Sequence, residues 1–186
     1  MNKRMISLGA ALGLIALPAC NGEKQQTENA ARGTEAVKEA GNTTIASGLD
    51  QKGQFFTLAK AAGLDVTLGG PGPYTVFVPD DGAFGKLPAG TSDSWTKPEG
   101  KAELTRTLTY HILPGTVLAE DIGKAIDNGK GKAPLATMGG EVLTATREGD
   151  RIVLTDAAGG KASITQADQT RANGVVHVTD AVLMPG

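Results

Sequence analysis

From residue 45 onward, apolar and polar positions recur with two different periods, and the change from one to the other divides the body of the chain. Residues 54–62 carry Phe55, Leu58, Ala59 and Ala62 at helical spacing, and Gly63 followed by Leu64 has the form of a C-terminal cap with its hydrophobic contact. Gly69-Gly70-Pro71-Gly72-Pro73 then turns the chain into Tyr74-Thr75-Val76-Phe77-Val78, an unbroken run of strand formers that predicts a strand buried on both faces and ended by Pro79. Asp80 is placed to cap a short helix running through Phe84. Residues 101–112 put Leu104, Leu108 and His111 or Ile112 on one helical stripe. That helix must stop before Pro114, because the residue preceding a proline is pushed out of the helical region. Ile122 and Ile126 predict another short helix, closed by Gly129. From residue 135 the period falls to two, with strands expected over 141–147, 151–156, 162–165 and 175–184, separated by glycine-containing turns. Helices first and strands afterwards predict an α+β fold rather than alternating βαβ units.

The first 44 residues follow neither pattern. Lys3 and Arg4 precede an apolar run over 5–17 that is too short to span a bilayer as a helix, so residues 1–19 read as a secretory signal peptide. The run closes on Leu17-Pro18-Ala19-Cys20, which resembles the lipobox of bacterial lipoproteins and implies a diacylglycerol on Cys20. Pro18 is uncommon in that pattern, and ordinary signal-peptidase cleavage after Ala19 is the alternative. Cys20 is the only cysteine, so no internal disulfide is open to it, and a thioether to lipid removes an oxidation-prone thiol. Asn21, where some lipoproteins carry Asp, implies sorting to an outer membrane, with the protein facing the periplasm or the exterior. Residues 21–44 hold one large aliphatic side chain besides Ala, Val37, and read as a flexible tether. A coil of this length holds its cargo roughly 25 to 30 Å from the membrane. The folded body is expected over 45–186.

Charge and composition narrow the function. The formal net charge is −2, and loss of residues 1–19 removes Lys3 and Arg4 but no acid, leaving 16 basic against 20 acidic residues. No basic stripe interleaved with aromatics is present, which argues against nucleic acid as a partner. No nucleophile elbow, His-Glu-x-x-His or phosphate loop occurs, and Asp80-Asp81 reads as a cap rather than an acid–base pair, so the chain is read as a non-enzyme without cofactor. Two histidines lack the further ligands that a zinc or iron site needs, so no metal is expected.

Three segments together resemble one family. Thr75-Val76-Phe77-Val78-Pro79-Asp80-Asp81-Gly82-Ala83-Phe84 is similar to the first box of fasciclin (FAS1) domains, Tyr110-His111-Ile112-Leu113-Pro114-Gly115 to their Tyr-His box, and residues 173–185 to their second box. The resemblance implies a wedge of two small β-sheets with several packed helices, and a role in adhesion or in protein or polysaccharide interaction at the cell envelope. Some members bind an apolar small ligand such as a carotenoid, which is the alternative. It also marks Tyr110, His111, Asp168 and His177 as candidate interaction or structural residues. His111 lies on an apolar stripe and His177 in a Val-Val-His-Val strand, where an imidazole most often serves as a neutral, hydrogen-bonded part of the core. Asp168 keeps the acid of the animal integrin-binding segments, but Gln169 replaces its aliphatic partner, so integrin recognition does not carry over.

Overall fold

The computed structural model describes residues 41–186. The expected signal peptide, Cys20 and the expected tether as far as residue 40 lie outside the described residues. The body opens with three short helices, α1 (Ile45–Gly48), α2 (Gln54–Ala62) and α3 (Asp65–Gly69). Helix α2 ends as its sequence predicts: Gly63 adopts a left-handed φ of 78°, and the Leu64 amide donates back to the Ala59 carbonyl at 2.8 Å. Strand β1 (Tyr74–Pro79) follows, then α4 (Asp81–Phe84), whose N-terminus is capped by Asp80 accepting from the Ala83 amide at 2.7 Å. Next come α5 (Thr91–Trp95), a 3₁₀ turn (Pro98–Gly100), α6 (Lys101–Tyr110), β2 (Ile112–Pro114) and α7 (Ala119–Asn128). Five strands complete the chain: β3 (Lys132–Ala136), β4 (Val142–Glu148), β5 (Arg151–Thr155), β6 (Lys161–Arg171) and β7 (Gly174–Thr179).

The strands hydrogen-bond in the order β2-β1-β7-β6-β5-β4-β3. Only β1 and β7 run parallel; the other neighbours are antiparallel. The expected two small sheets are present and share β6, which pairs with β5 through residues 161–163 and with β7 from Ile164 onward. Register shifts between Ile164 and Gln166 and between Gln166 and Gln169 mark where β6 bends from one sheet into the other. The two outer edges approach each other as well, since the Met138 amide donates to the Ile112 carbonyl at 2.7 Å. Phe77, Tyr110, Leu143, Leu154 and Leu183 pack with Ile122 and Ile126 of α7 in one core. Phe55, Leu68, Trp95 and Leu104 of the helices pack against Val76 and Val176 in a second. Alternate residues of β1 therefore enter different cores, which is why its sequence shows no polar face.

Several boundaries differ from expectation. Helix α6 ends at Tyr110 rather than residue 112, because the His111 amide closes a tight last turn on the Leu108 carbonyl and Ile112 pairs with Val76 in the sheet. Strand β6 runs on to Arg171, beyond residue 165, because β7 supplies a second partner. Strand β7 stops at Thr179, and residues 180–186 leave the sheet: Asp180 accepts from the Ser163 amide and Asp156 from the Met184 amide. Strand β3 falls partly in a glycine- and lysine-rich stretch that gave no strand signal until Leu135, and its Ala133 and Leu135 face the core. Thr43 and Thr44, which the sequence reading leaves in the tether, already bond to the body: Thr43 accepts from the Ala172 amide, and Thr44 caps α1.

Gly174 shows how tightly β1 and β7 approach. Its φ is 150°, and a Cβ there would collide with the Tyr74 backbone. Gly174→Ala is expected to destabilise the fold by at least about 2 kcal/mol in chemical denaturation. Gly140→Ala, at a φ of 85° with open space around it, should cost only about 1 kcal/mol. Equal midpoints for the two variants would show that the close approach is not a constraint.

Candidate functional site

The Tyr-His pair sits where α6 hands over to β2, and both residues are fully buried. The Tyr110 hydroxyl donates to the Val142 carbonyl at 3.3 Å and accepts from the Ala157 amide at 3.0 Å, joining β4 to the turn after β5. Burial raises its pKa, so it stays a neutral phenol. His111 Nδ1 lies 2.8 Å from the Thr107 carbonyl, and Nε2 lies 3.0 Å from the Leu183 amide. A carbonyl can only accept and a backbone amide can only donate, so Nδ1 carries the proton and Nε2 is the acceptor. The imidazole thus ties the end of α6 to the C-terminal segment, with Phe55 edge-on at 6.3 Å. Burial lowers its pKa to about 4, against smaller raising contributions from the Thr107 bond and Asp156.

His177 is buried on the face of the β1–β7 pair that carries Phe77 and α7, opposite Val176 and helices α1–α6, and holds the other tautomer. Its Nε2 donates to the Val117 carbonyl at 2.9 Å, and its Nδ1 accepts from the Asp168 amide at 3.2 Å. It stacks on Phe77, its register partner, with ring centroids 5.5 Å apart. Burial lowers its pKa too. Asp168 lies in the irregular part of β6 with φ 58°, a left-handed conformation that Asp tolerates better than most residues. Its carboxylate accepts from the Ala119 amide at 2.8 Å, capping α7 from a neighbouring strand, and sits 3.9 Å from His177 Nδ1. The structure therefore brings Asp168 and His177 together, while Tyr110 and His111 form a separate linkage at the end of α6. Among the described residues, no three His, Cys, Asp or Glu side chains converge to hold a metal ion.

Two features escaped the sequence reading. Asn173, buried just before β7, accepts from the Ile45 amide at 2.7 Å and donates to the Leu68 and Gly70 carbonyls at 2.8 Å each, so one amide side chain gathers α1, α3 and β7. Its only signal was its place at the head of the second box. The other is a half-open cleft of about 250 Å³ at the C-terminal ends of β1 and β7. Val78, Val176 and Val178 form its floor, Phe56 a wall, and Asp50, Asp80 and Asp81 part of its lining. Residues from four distant segments make it, so no local pattern could reveal it.

The histidine geometry fixes a pH dependence. Folding lowers the pKa of His111 from 6.5 to about 4, so the unfolded chain binds its proton first. Its contribution to stability is complete above pH 6.5 and is lost progressively as pH falls from there to about 4. This amounts to about 3 kcal/mol in total. His111→Ala should destabilise the fold by about 2 to 4 kcal/mol at pH 7, through lost packing and a broken buried hydrogen bond. His111→Asn should cost less, and both variants should show a flatter fall in stability between pH 6.5 and 4. Denaturant titration across that range checks this; a variant as stable as wild type at pH 7 would contradict it.

Comparison with known proteins agrees with this architecture. The family model for the Fasciclin domain matches residues 50–185. Protein sll1483 of Synechocystis sp. is 34% identical over 179 residues, covering 95% of this chain and 91% of that protein. Transforming growth factor-beta-induced protein ig-h3 of Sus scrofa is 33% identical over 126 residues, which cover 67% of this chain but 16% of the longer protein. Among solved structures, a FAS1 domain pair from the insect cell adhesion molecule Fasciclin I superposes with a TM-score of 0.52 at 21% identity, covering 70% of this chain and 44% of that one. On the family match and the near full-length similarity, the chain belongs to the fasciclin family.

Proposed function

We propose that this chain is an envelope-anchored binding module that mediates adhesion, or interaction with a protein or polysaccharide, at the cell surface or in the periplasm. Export and a lipid on Cys20 would place it there, with the segment before Thr43 as the spacer. The observation that carries the reading is the commitment of Tyr110, His111 and His177. Their polar side-chain atoms are used in bonds within the fold. Burial also holds both imidazoles in the neutral form. Groups so engaged serve a scaffold, and recognition falls to the surface. The similarity to a cell adhesion molecule supports the same direction.

The apolar floor of the cleft favours a second reading, carriage of an apolar small ligand such as a carotenoid. Its size weighs against that: about 250 Å³ lies below the roughly 300 to 1,000 Å³ in which pockets enclose a drug-sized molecule. A cleft of this kind takes a side chain or two and leaves the rest of a ligand outside.

The two readings separate in one set of measurements. Cells producing the chain should adhere or aggregate more than cells lacking it, and Cys20→Ser should move the protein to the soluble fraction and abolish most of that gain. Organic extraction of natively purified protein should release no stoichiometric apolar compound. A stoichiometric extract, with adhesion unchanged by removal of the chain, would overturn the binding-module reading in favour of the carrier.

A further inference from the structure

The cleft at the ends of β1 and β7 combines an apolar floor with an acidic lining. Val76 and Val78 pair in register with Val176 and Val178, so these four valines share one face of the parallel pair. Val76 and Val176 are covered by the helices, but Val78 and Val178 are only half-buried and stand at the mouth. No Lys, Arg or His lines the cleft, while three carboxylates do. Each of these carboxylates uses one oxygen on a backbone amide: Asp50 on Lys52 at 2.9 Å, Asp80 on Ala83 at 2.7 Å and Asp81 on Gln54 at 2.9 Å. Their second oxygens make no hydrogen bond among the described residues. These bonds hold the three groups in place on exposed backbone turns, with acceptor capacity to spare. Two basic residues adjoin the cleft without lining it: exposed Lys52, whose backbone amide holds Asp50, and Arg171, whose guanidinium is bonded to the Gly48 and Thr170 carbonyls and to Gln169 Oε1.

We infer that this cleft docks a cationic segment of a partner protein, with an aliphatic or aromatic side chain on the Val78–Val178 floor and a neighbouring Lys or Arg against Asp50, Asp80 and Asp81. The inference deepens the binding-module reading and rests on it. Charge complementarity selects the occupant. An anionic ligand would meet three exposed carboxylates of like charge, and a purely apolar one would leave their spare acceptor oxygens unused. Size selects a protein segment over an enclosed small molecule, because the cleft holds side chains and the rest of the ligand must lie on the surface outside it.

The test uses the exported chain, kept soluble by Cys20→Ser, and a fluorescein-labelled peptide alternating Lys with Leu and Phe. Anisotropy titration should show saturable binding that weakens with added salt, and a peptide with Glu for Lys should not bind. Asp50→Asn, Asp80→Asn and Asp81→Asn together keep an acceptor oxygen for each backbone bond while removing the charge. An exposed ion pair contributes roughly a factor of two to three, so the triple variant should bind about tenfold more weakly. Val178→Thr should also weaken binding, and peptide-induced amide shifts should centre on Phe56, Val78, Gln169 and Val178. No binding below 1 mM, unchanged affinity in the triple variant, or shifts centred elsewhere would overturn the inference. Displacement of the peptide by dodecylamine at equal or lower concentration would reassign the cleft to small amphipathic amines. Each of these results leaves the adhesion measurements intact, so failure here is distinct from failure of the binding-module reading.

Discussion

The parallel pairing of β1 with β7 is the constraint on which the rest of the molecule depends. Residues 74–79 lie in unbroken register with residues 174–179, a hundred positions away. No short connection can make a parallel pair, so everything between must leave the sheet and return. The excursion adds α4–α6 to α1–α3 on one face, and supplies α7 and the antiparallel strands that curl round the other. Gly174 permits the closest approach of the two strands, and Asn173 fixes α1 and α3 to the same point. The three sequence boxes are therefore one structure: the first provides β1, the Tyr-His box provides β2 on its outer side, and the second provides β7 on its inner side.

Such a junction needs groups that can donate and accept at once, because it joins a carbonyl from one segment to an amide from another. A neutral imidazole does this with a rigid ring. His111 spans the end of α6 and the C-terminal segment, and His177 spans the approach to α7 and the bend of β6. Protonation of either would set a second donor against a backbone N–H, which is why burial and partner geometry both favour the neutral form. Asp168 completes the second junction by capping α7 across the strand. The polar core residues at the heart of the family resemblance thus build the scaffold.

What was legible in the sequence was local. The cap at Gly63, the cap at Asp80 and the double-sided burial of β1 each depend on neighbours within a few residues, and each is seen. The end of α6 was misplaced because Ile112 fits the helical stripe; its capture by Val76 is a tertiary event that periodicity does not record. Strand β3 was obscured by glycines and lysines and is held by pairing to β4. At the site, the inward role of His111 followed from its apolar stripe. The opposite tautomers, the cap by Asp168 and the cleft all require knowing which distant segments meet, information carried by the fold alone.

The account stands on two neutral imidazoles fixed in opposite tautomers, and histidine side-chain ¹H–¹⁵N correlation at pH 7 reads this directly. Since each tautomer is dictated by a backbone amide on one nitrogen and a carbonyl on the other, His111 should show a protonated Nδ1 with a bare Nε2, and His177 a protonated Nε2 with a bare Nδ1. The His111 pattern should persist to well below pH 6, as burial lowers its pKa to about 4, and His177 should take up its proton below the free imidazole value, since burial lowers its pKa as well. A ring that averages between tautomers, or titrates near pH 6.5 like a free imidazole, would contradict the scaffold role.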